Sequence, residues 1–225
     1  MCGRFVSHSS LRLIEKTFNV DAVACEVTPN FNVAPTQEVL VIIRNHLRRL
    51  DKFYWGLVPF WAKDISIGSR LINARAETVA QKPSFRYAFK NRRCFIIADG
   101  FYEWQGEKGH KQPWYLTLTS GEPFAFAGIW EQWRDETEKA YYSCAIITTA
   151  ASRSIKDIHS RMPVILQPET YEAWLNPQNQ DIRQLNSILQ EGHIQELERY
   201  PVSRRVNDVR NNDARCIEPL HTDQD

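Results

Sequence analysis

The chain has 225 residues, 43% of them hydrophobic and 24% charged, enough to bury a sizeable core as one large domain or two small ones. Its formal net charge of +1 excludes a global attraction to nucleic acid or acidic lipid, so any polyanion site must be a local patch. Five cysteines, odd in number and without C-x-x-C spacing, give neither a disulfide framework nor a zinc pattern and point to a reducing compartment. With no signal-peptide block and no apolar run approaching ~18 residues, a cytoplasmic protein without a membrane partner is expected.

In chain order, "SSLRLIEKTFNV" sets Leu11, Ile14 and Phe18 on one face behind serine caps and predicts a short amphipathic helix. "EVLVIIR", Asn45-His46 and "LRRLDKFYWGLVP" predict a hairpin, and "SFRYAFK" one or two helical turns. "RCFIIAD", "FYEW", "PWYLTL", "PFAFAGIW", "YYSCAIITT" and "MPVILQ" read as strands. Helices follow at "PETYEAWL" and "QDIRQLNSILQ", then a last strand near "RYPVSRRV". Without repeats or linkers, the pattern predicts one α+β domain: an antiparallel, β-rich, barrel-like core with peripheral helices.

Several polar groups interrupt this apolar background. "LINARAET" places Asn73, Arg75 and Glu77 on alternate residues, hence on one face of an extended segment. "ADGFYEW" sets Glu103 between two aromatics after a glycine turn; it is either solvated or held in an apolar pocket with a raised pKa, as general acids need. "DIHSRMP" holds His159 and Arg161 just before a buried strand. From Thr78 to Ala98 no acidic residue occurs, while Lys82, Arg86, Lys90, Arg92 and Arg93 interleave with Phe85, Tyr87 and Phe89. That composition suits single-stranded nucleic acid, and equally a solvated helix face. "WGLVPFW" gathers Trp55, Phe60 and Trp61 around a proline turn, for core packing or for stacking on bases. Finally, "MCGR" puts Cys2 behind the initiator methionine. With Met1 retained it is an ordinary thiol; with Met1 removed it carries an α-amine and a thiol on one residue.

Taken together, "MCGRF", "NVAPT", "WGLVPFW", "NARAET", "RRCFIIADGFYEW", "QPWY", "FAGIW", "IHSRMPVIL" and "VSRRVN" resemble the SRAP (SOS response-associated peptidase) family, in the family's order and over nearly the whole chain. The resemblance implies an SRAP domain over 2–210 and a flexible C-terminal tail over 211–225. It implies a monomer that captures abasic sites in single-stranded DNA covalently, associating with the nucleoid when bound to DNA, with weak lyase activity through a Schiff base and no metal or organic cofactor. By position, Cys2 matches the nucleophile, and Asn73, Glu103 and His159 the other catalytic residues. Arg4, Arg75 and Arg161 match backbone-contacting arginines, and Asn32, Trp61 and Thr148 DNA-contact positions. Two departures stand out: Ser160 where aspartate is common, and Ile97 where proline is common. Two other activities fit the same residues, a cysteine-type (auto)peptidase and a non-covalent single-stranded DNA-binding module.

Overall fold

Strands that are apolar on both faces need cover on both sides, and that requirement shapes the molecule. The computed structural model describes residues 2–220 except 108 and 195. In chain order the elements are β1 (Phe5–Ser7), α1 (Leu11–Phe18), β2 (Ala22–Val23), β3 (Asn30–Val33), β4 (Glu38–Arg44), β5 (Arg48–Trp55), β6 (Asn73–Arg75), α2 (Arg86–Asn91), β7 (Arg93–Ala98), β8 (Gly100–Gln105), β9 (Gln112–Thr117), β10 (Phe124–Arg134), β11 (Ala140–Ala150), β12 (Arg161–Pro163), α3 (Tyr171–Leu175), α4 (Ile182–Gln190) and β13 (Glu198–Pro201).

Five strands in the order β11-β10-β7-β4-β5 are antiparallel neighbours, and a further contact joins β5 back to β11, Tyr54 beside Ser143 and Trp55 beside Cys144. The sheet therefore closes into a five-stranded barrel. The expected antiparallel core needs one amendment here. A ring with an odd number of strands cannot alternate direction throughout, so one contact must be parallel, and it is the closing one. β2 on β5 and β6 on β11 are parallel as well. A second, antiparallel sheet runs β13-β9-β8-β1-β3.

The two-residue period of the strands sorts the barrel's side chains. Leu40, Ile42, Phe95, Ile97, Ala127, Ile129, Ala145 and Ile147 face outward and pack against the helices through Ile14, Phe18, Phe89, Trp174 and Leu185. The alternate set, including Val41, Ile43, Phe53, Cys94, Ile96, Phe126 and Ile146, fills the interior together with Phe5 and Phe101 of the second sheet. The helix α1 is capped as its sequence foretells: Ser10 accepts from the Leu13 N–H, and Asn19 ends it in the left-handed region. At Gly56 the chain turns with φ +144°, and an added Cβ would meet the Gly68 carbonyl at 2.7 Å, so the "WGLVPFW" turn lies backbone to backbone on the 65–70 segment.

Residues 211–220 differ from the flexible tail expected there. Cys216 is fully buried, and Leu220 N–H bonds the Pro201 carbonyl at 2.9 Å. The cause is the small apolar cluster of Val6, Tyr102, Tyr115, Val202 and Val206, which Cys216 completes. The remainder of the expected tail, 221–225, lies outside the described residues. Among the described residues all five cysteines are free thiols, and no helix is long and apolar enough to cross a membrane.

Candidate active site

Four stretches meet where the second sheet abuts the barrel. The strand β11 organises two of them. On one edge β6 sets Asn73 beside Ile146 and Arg75 beside Thr148; on the other, β12 sets Arg161 beside Ala150. Helical turns over 152–158 end with the His159 N–H on the Ile155 carbonyl, 3.1 Å, and deliver the imidazole just ahead of β12. β1 and β8 supply the rest. Phe5 pairs with Phe101, and Tyr102 N–H bonds the Arg4 carbonyl at 3.0 Å, a register that carries Glu103 alongside Cys2 and Gly3.

Cys2 is buried at the end of the barrel interior, with Sγ 3.8 Å from the Arg4 carbonyl. Burial pushes its thiol well above the ordinary range, and the charge of Glu103 pushes the same way, so the sulfur is held protonated. Asn73 Nδ2 donates to the Cys2 carbonyl at 2.7 Å, while Asn73 Oδ1 is buried and accepts no hydrogen bond among the described residues.

Glu103 is buried too, and loss of solvent pushes its carboxyl up to about 7, against the opposing charge of Lys111. Its Oε1 lies 4.0 Å from His159 Nδ1, too far for a hydrogen bond. The Arg161 backbone N–H, which can only donate, points at that same Nδ1 from 3.0 Å. The Arg161 carbonyl lies 3.1 Å from the same Nδ1, so that nitrogen has a backbone partner whether it accepts or donates. Burial lowers the imidazole's pKa, helped by the positive charges of Lys111 and Arg161, so the ring is neutral near pH 7. Ser160, at the position of the commoner aspartate, contributes its carbonyl to Ala151 N–H at 3.0 Å.

The expected contact residues divide into a rim and a floor. Arg75 is exposed. Arg161 forks onto Glu77, with Nη1–Oε1 2.5 Å and Nη2–Oε2 3.0 Å, and also bonds the Thr148 carbonyl at 2.6 Å. Arg4 Nη1 reaches Asn32 Oδ1 and the Val206 carbonyl, both at 2.8 Å, and its guanidinium lies over Trp104. Asn32 and Thr148 are buried beneath these arginines. The Asn32 amide donates to the carbonyls of Val206, Asp208 and Asn211, which ties the 206–211 segment under Arg4. Trp61 stands on a separate turn, about half exposed.

Three participants had no role assigned to them from the sequence. Glu77 shares a face with Asn73 and Arg75, which was the available signal for its pairing with Arg161. Trp104 neighbours Glu103 and bonds Asn207 Oδ1 at 2.8 Å. Lys111 acts on both Glu103 and His159 only because β9 folds back on β8, and the sequence carries no signal for that. The basic-aromatic stretch is split by the fold: Phe85, Phe89 and Arg93 are buried, while Arg86, Tyr87 and Lys90 are exposed.

The chain is 46% identical over 222 residues to the abasic site processing protein YoqW of Bacillus subtilis, covering 97% of this chain and 99% of that one. It is 31% identical over 229 residues to the abasic site processing protein YedK of Escherichia coli, covering 98% and 100%. A crystal structure of a Bacteroides thetaiotaomicron protein, 25% identical, superposes with a TM-score of 0.85 over 97% of this chain and all of the other. The family profile described as SOS response associated peptidase (SRAP) spans residues 1–209, from the Cys2 strand through Val206 beneath Arg4, and this chain belongs to that family.

Proposed function

We propose that the protein processes abasic sites in single-stranded DNA by covalent capture at Cys2, once Met1 is removed. One observation carries the reading: a residue with two nucleophilic atoms is fixed through its own carbonyl by Asn73, beside a carboxyl poised near neutrality and a neutral imidazole. The names of the relatives supply the substrate.

The chemistry follows in balanced steps. The abasic sugar is mostly a closed hemiacetal, and a neutral His159 ring takes up the C1′ hydroxyl proton and returns a proton to the ring oxygen, which opens the sugar to the aldehyde. The Cys2 α-amine, with an ordinary pKa of about 7.7–8.0, is partly neutral and adds to the aldehyde carbon. A protonated Glu103 gives its proton to the departing hydroxyl, which leaves as water, and its carboxylate takes back the proton of the nitrogen, leaving an imine. The thiol then adds its sulfur to the imine carbon, and the S–H proton ends on the nitrogen, closing a five-membered thiazolidine. An imine that escapes closure would lose the 3′ phosphate by β-elimination, giving the weak lyase activity that the resemblance implies.

The state of the thiol favours this order over the peptidase reading. A cysteine hydrolase needs a thiolate, made by lowering the pKa. Here burial and Glu103 act in the opposite direction, so the amine attacks first and the sulfur second. Incubation with an oligonucleotide carrying one abasic site, followed by denaturing mass spectrometry, tests the proposal. The expected product is protein plus DNA minus one water, from protein lacking Met1, and no adduct with intact DNA. An adduct formed equally by protein that retains Met1 would overturn it.

A further inference from the structure

The barrel closes over a short distance only, and a cleft opens beside the closure. The parallel contact between β5 and β11 lasts for two residue pairs, Tyr54 with Ser143 and Trp55 with Cys144. It does not continue to Lys52 and Phe53 on one strand or to Tyr141 and Tyr142 on the other. The cleft at this seam holds about 510 Å³, within the range of sites that take small organic ligands. Its far wall is the 65–70 segment, which lies backbone to backbone on Gly56 through Gly68. Val58 N–H donates to Ser143 Oγ at 2.8 Å and pins the turn after β5 to β11. None of Cys2, Asn73, Glu103 or His159 lines this cleft.

The lining pairs open apolar surface with uncommitted donors. Ile65 and Tyr142 face the cleft while 37% and 38% exposed. Phe53 stacks on the Tyr142 ring, centroids 5.2 Å apart and planes 22° off parallel, and holds it in place. Two ammonium groups, those of Lys52 and Lys139, also line the cleft. The carboxylates next to them in sequence are taken by arginines, Asp51 by Arg49 at 3.0 Å and Glu138 by Arg134 at 3.8 Å. Among the described residues neither lysine has an ion pair, and the Tyr54 and Tyr141 hydroxyls have no hydrogen bond. Lys139 Nζ lies 5.1 Å from the Tyr141 ring centroid. One carboxylate, Glu38, shares the lining.

We infer that this cleft is a binding site for a small aromatic monocarboxylate. The ligand's ring packs against Ile65 and Tyr142, and the apolar area it removes from water supplies affinity. Its carboxylate takes charge-assisted hydrogen bonds from Lys52 and Lys139, and the tyrosine hydroxyls fill its remaining acceptor sites. Charge sets the class. Two ammonium groups against one carboxylate leave a single net positive charge, which one negative charge neutralises. The second charge of a phosphate ester meets Glu38 without compensation. A neutral ring makes no use of either lysine. Binding there does not depend on capture at Cys2.

Three probes that share one ring test the site: naphthoate, the neutral naphthylmethanol and the dianionic naphthyl phosphate. Each is titrated into isotope-labelled protein near neutral pH and followed by amide chemical shifts. Naphthoate should shift Ile65, Ser66 and Tyr142 and bind about ten-fold more tightly than either other probe, the scale of one charge-assisted hydrogen bond. A Lys52→Gln, Lys139→Gln double variant has no ion pair to lose and should keep the wild-type melting temperature. It should bind naphthoate about ten-fold more weakly than wild type and lose the preference over naphthylmethanol. Equal affinity of variant and wild type for naphthoate overturns the site, as does the absence of shifts in the cleft with all three probes at about 10 mM. Naphthyl phosphate or naphthylmethanol bound as tightly as naphthoate overturns the monocarboxylate assignment.

Discussion

The Asn73 side-chain amide holds the Cys2 backbone carbonyl at 2.7 Å, and Asn73 itself is held by the pairing of β6 with the barrel strand β11. The segment that carries Cys2 is thereby referenced to the barrel. The bond fixes where the α-amine and thiol of Cys2 face. Asn73→Ala should remove the donor and slow adduct formation about ten-fold, the kinetic equivalent of one lost hydrogen bond of ~1.4 kcal/mol. Asn73→Asp should be worse than Ala, because it sets a carboxylate against a carbonyl oxygen. Single-turnover adduct formation on gels measures both; an Asp variant as fast as wild type would remove the positioning role.

Glu103 makes a pH dependence that can be signed. Its folded pKa of about 7 lies above the ordinary carboxylate value, so between the two the folded state binds the extra proton. Stability from this group is therefore full below the unfolded pKa and falls as pH rises through the folded one. Glu103→Gln keeps the shape without the charge. It should melt at the wild-type temperature near pH 4 and several degrees above it at pH 8, while its capture rate falls for want of an acid. Thermal melts at the two pH values check the sign; a variant less stable than wild type at pH 8 contradicts the buried-carboxyl account.

Arg161 is held by Glu77, and a DNA phosphate approaching that guanidinium meets the carboxylate first. Glu77→Ala should therefore tighten non-covalent binding to single-stranded DNA several-fold. Arg161→Ala should weaken it alike on all flanking sequences and reduce the slope of affinity against salt. Anisotropy titrations at two salt concentrations separate these. Unchanged affinity on removing Glu77 would place the phosphate elsewhere.

Arg93 shows what the sequence conceals. As a letter among basic residues it reads as part of a nucleic-acid surface, yet all of its donors go inward. Nε bonds the Trp174 carbonyl, Nη1 those of Phe89 and Lys90, and Nη2 those of Asn176 and Asn179, at 2.6–2.9 Å. It caps α2 and α3 at once, where carbonyls lack helical partners. Lysine has three donors and no fork, so Arg93→Lys should cost about 3 kcal/mol in chemical denaturation and leave DNA affinity unchanged at low temperature. A variant that unfolds like wild type but binds DNA poorly would return Arg93 to the surface role.

The same contrast explains which parts of the fold were legible. Long strands such as β10 and β11 carry period-two burial that any reading of residues finds, and α1 announces itself by its serine cap and apolar face. β1 and β3 have three and four residues, too short for a periodic signal, although β1 leads directly from Cys2. Within the candidate site, Asn73, Glu103 and His159 stood out as polar interruptions of apolar runs, and Cys2 by its place behind the initiator methionine. Asn32 and Thr148 lie instead beneath the rim, since side-chain direction at a sheet edge depends on pairings distant in sequence.

The two nucleophilic atoms of Cys2 are separable by experiment. Cys2→Ala with Met1 removed keeps the α-amine and loses only the sulfur. Imine formation needs the amine alone, so this variant should still give a Schiff base that borohydride traps. It should give no stable adduct without reductant, because nothing closes the ring, and strand cleavage by β-elimination should become more visible. The small volume lost from the buried Cys2 site leaves the fold intact, since the side chain sits at the end of the barrel core. Adding one residue ahead of Cys2 does the opposite: the thiol remains, still buried and protonated, while the free amine moves to the added residue. Stable and trappable products should then fall together by at least a hundred-fold. Undiminished cross-linking by the extended protein would mean that the sulfur attacks first, which requires a thiolate that burial beside Glu103 disfavours.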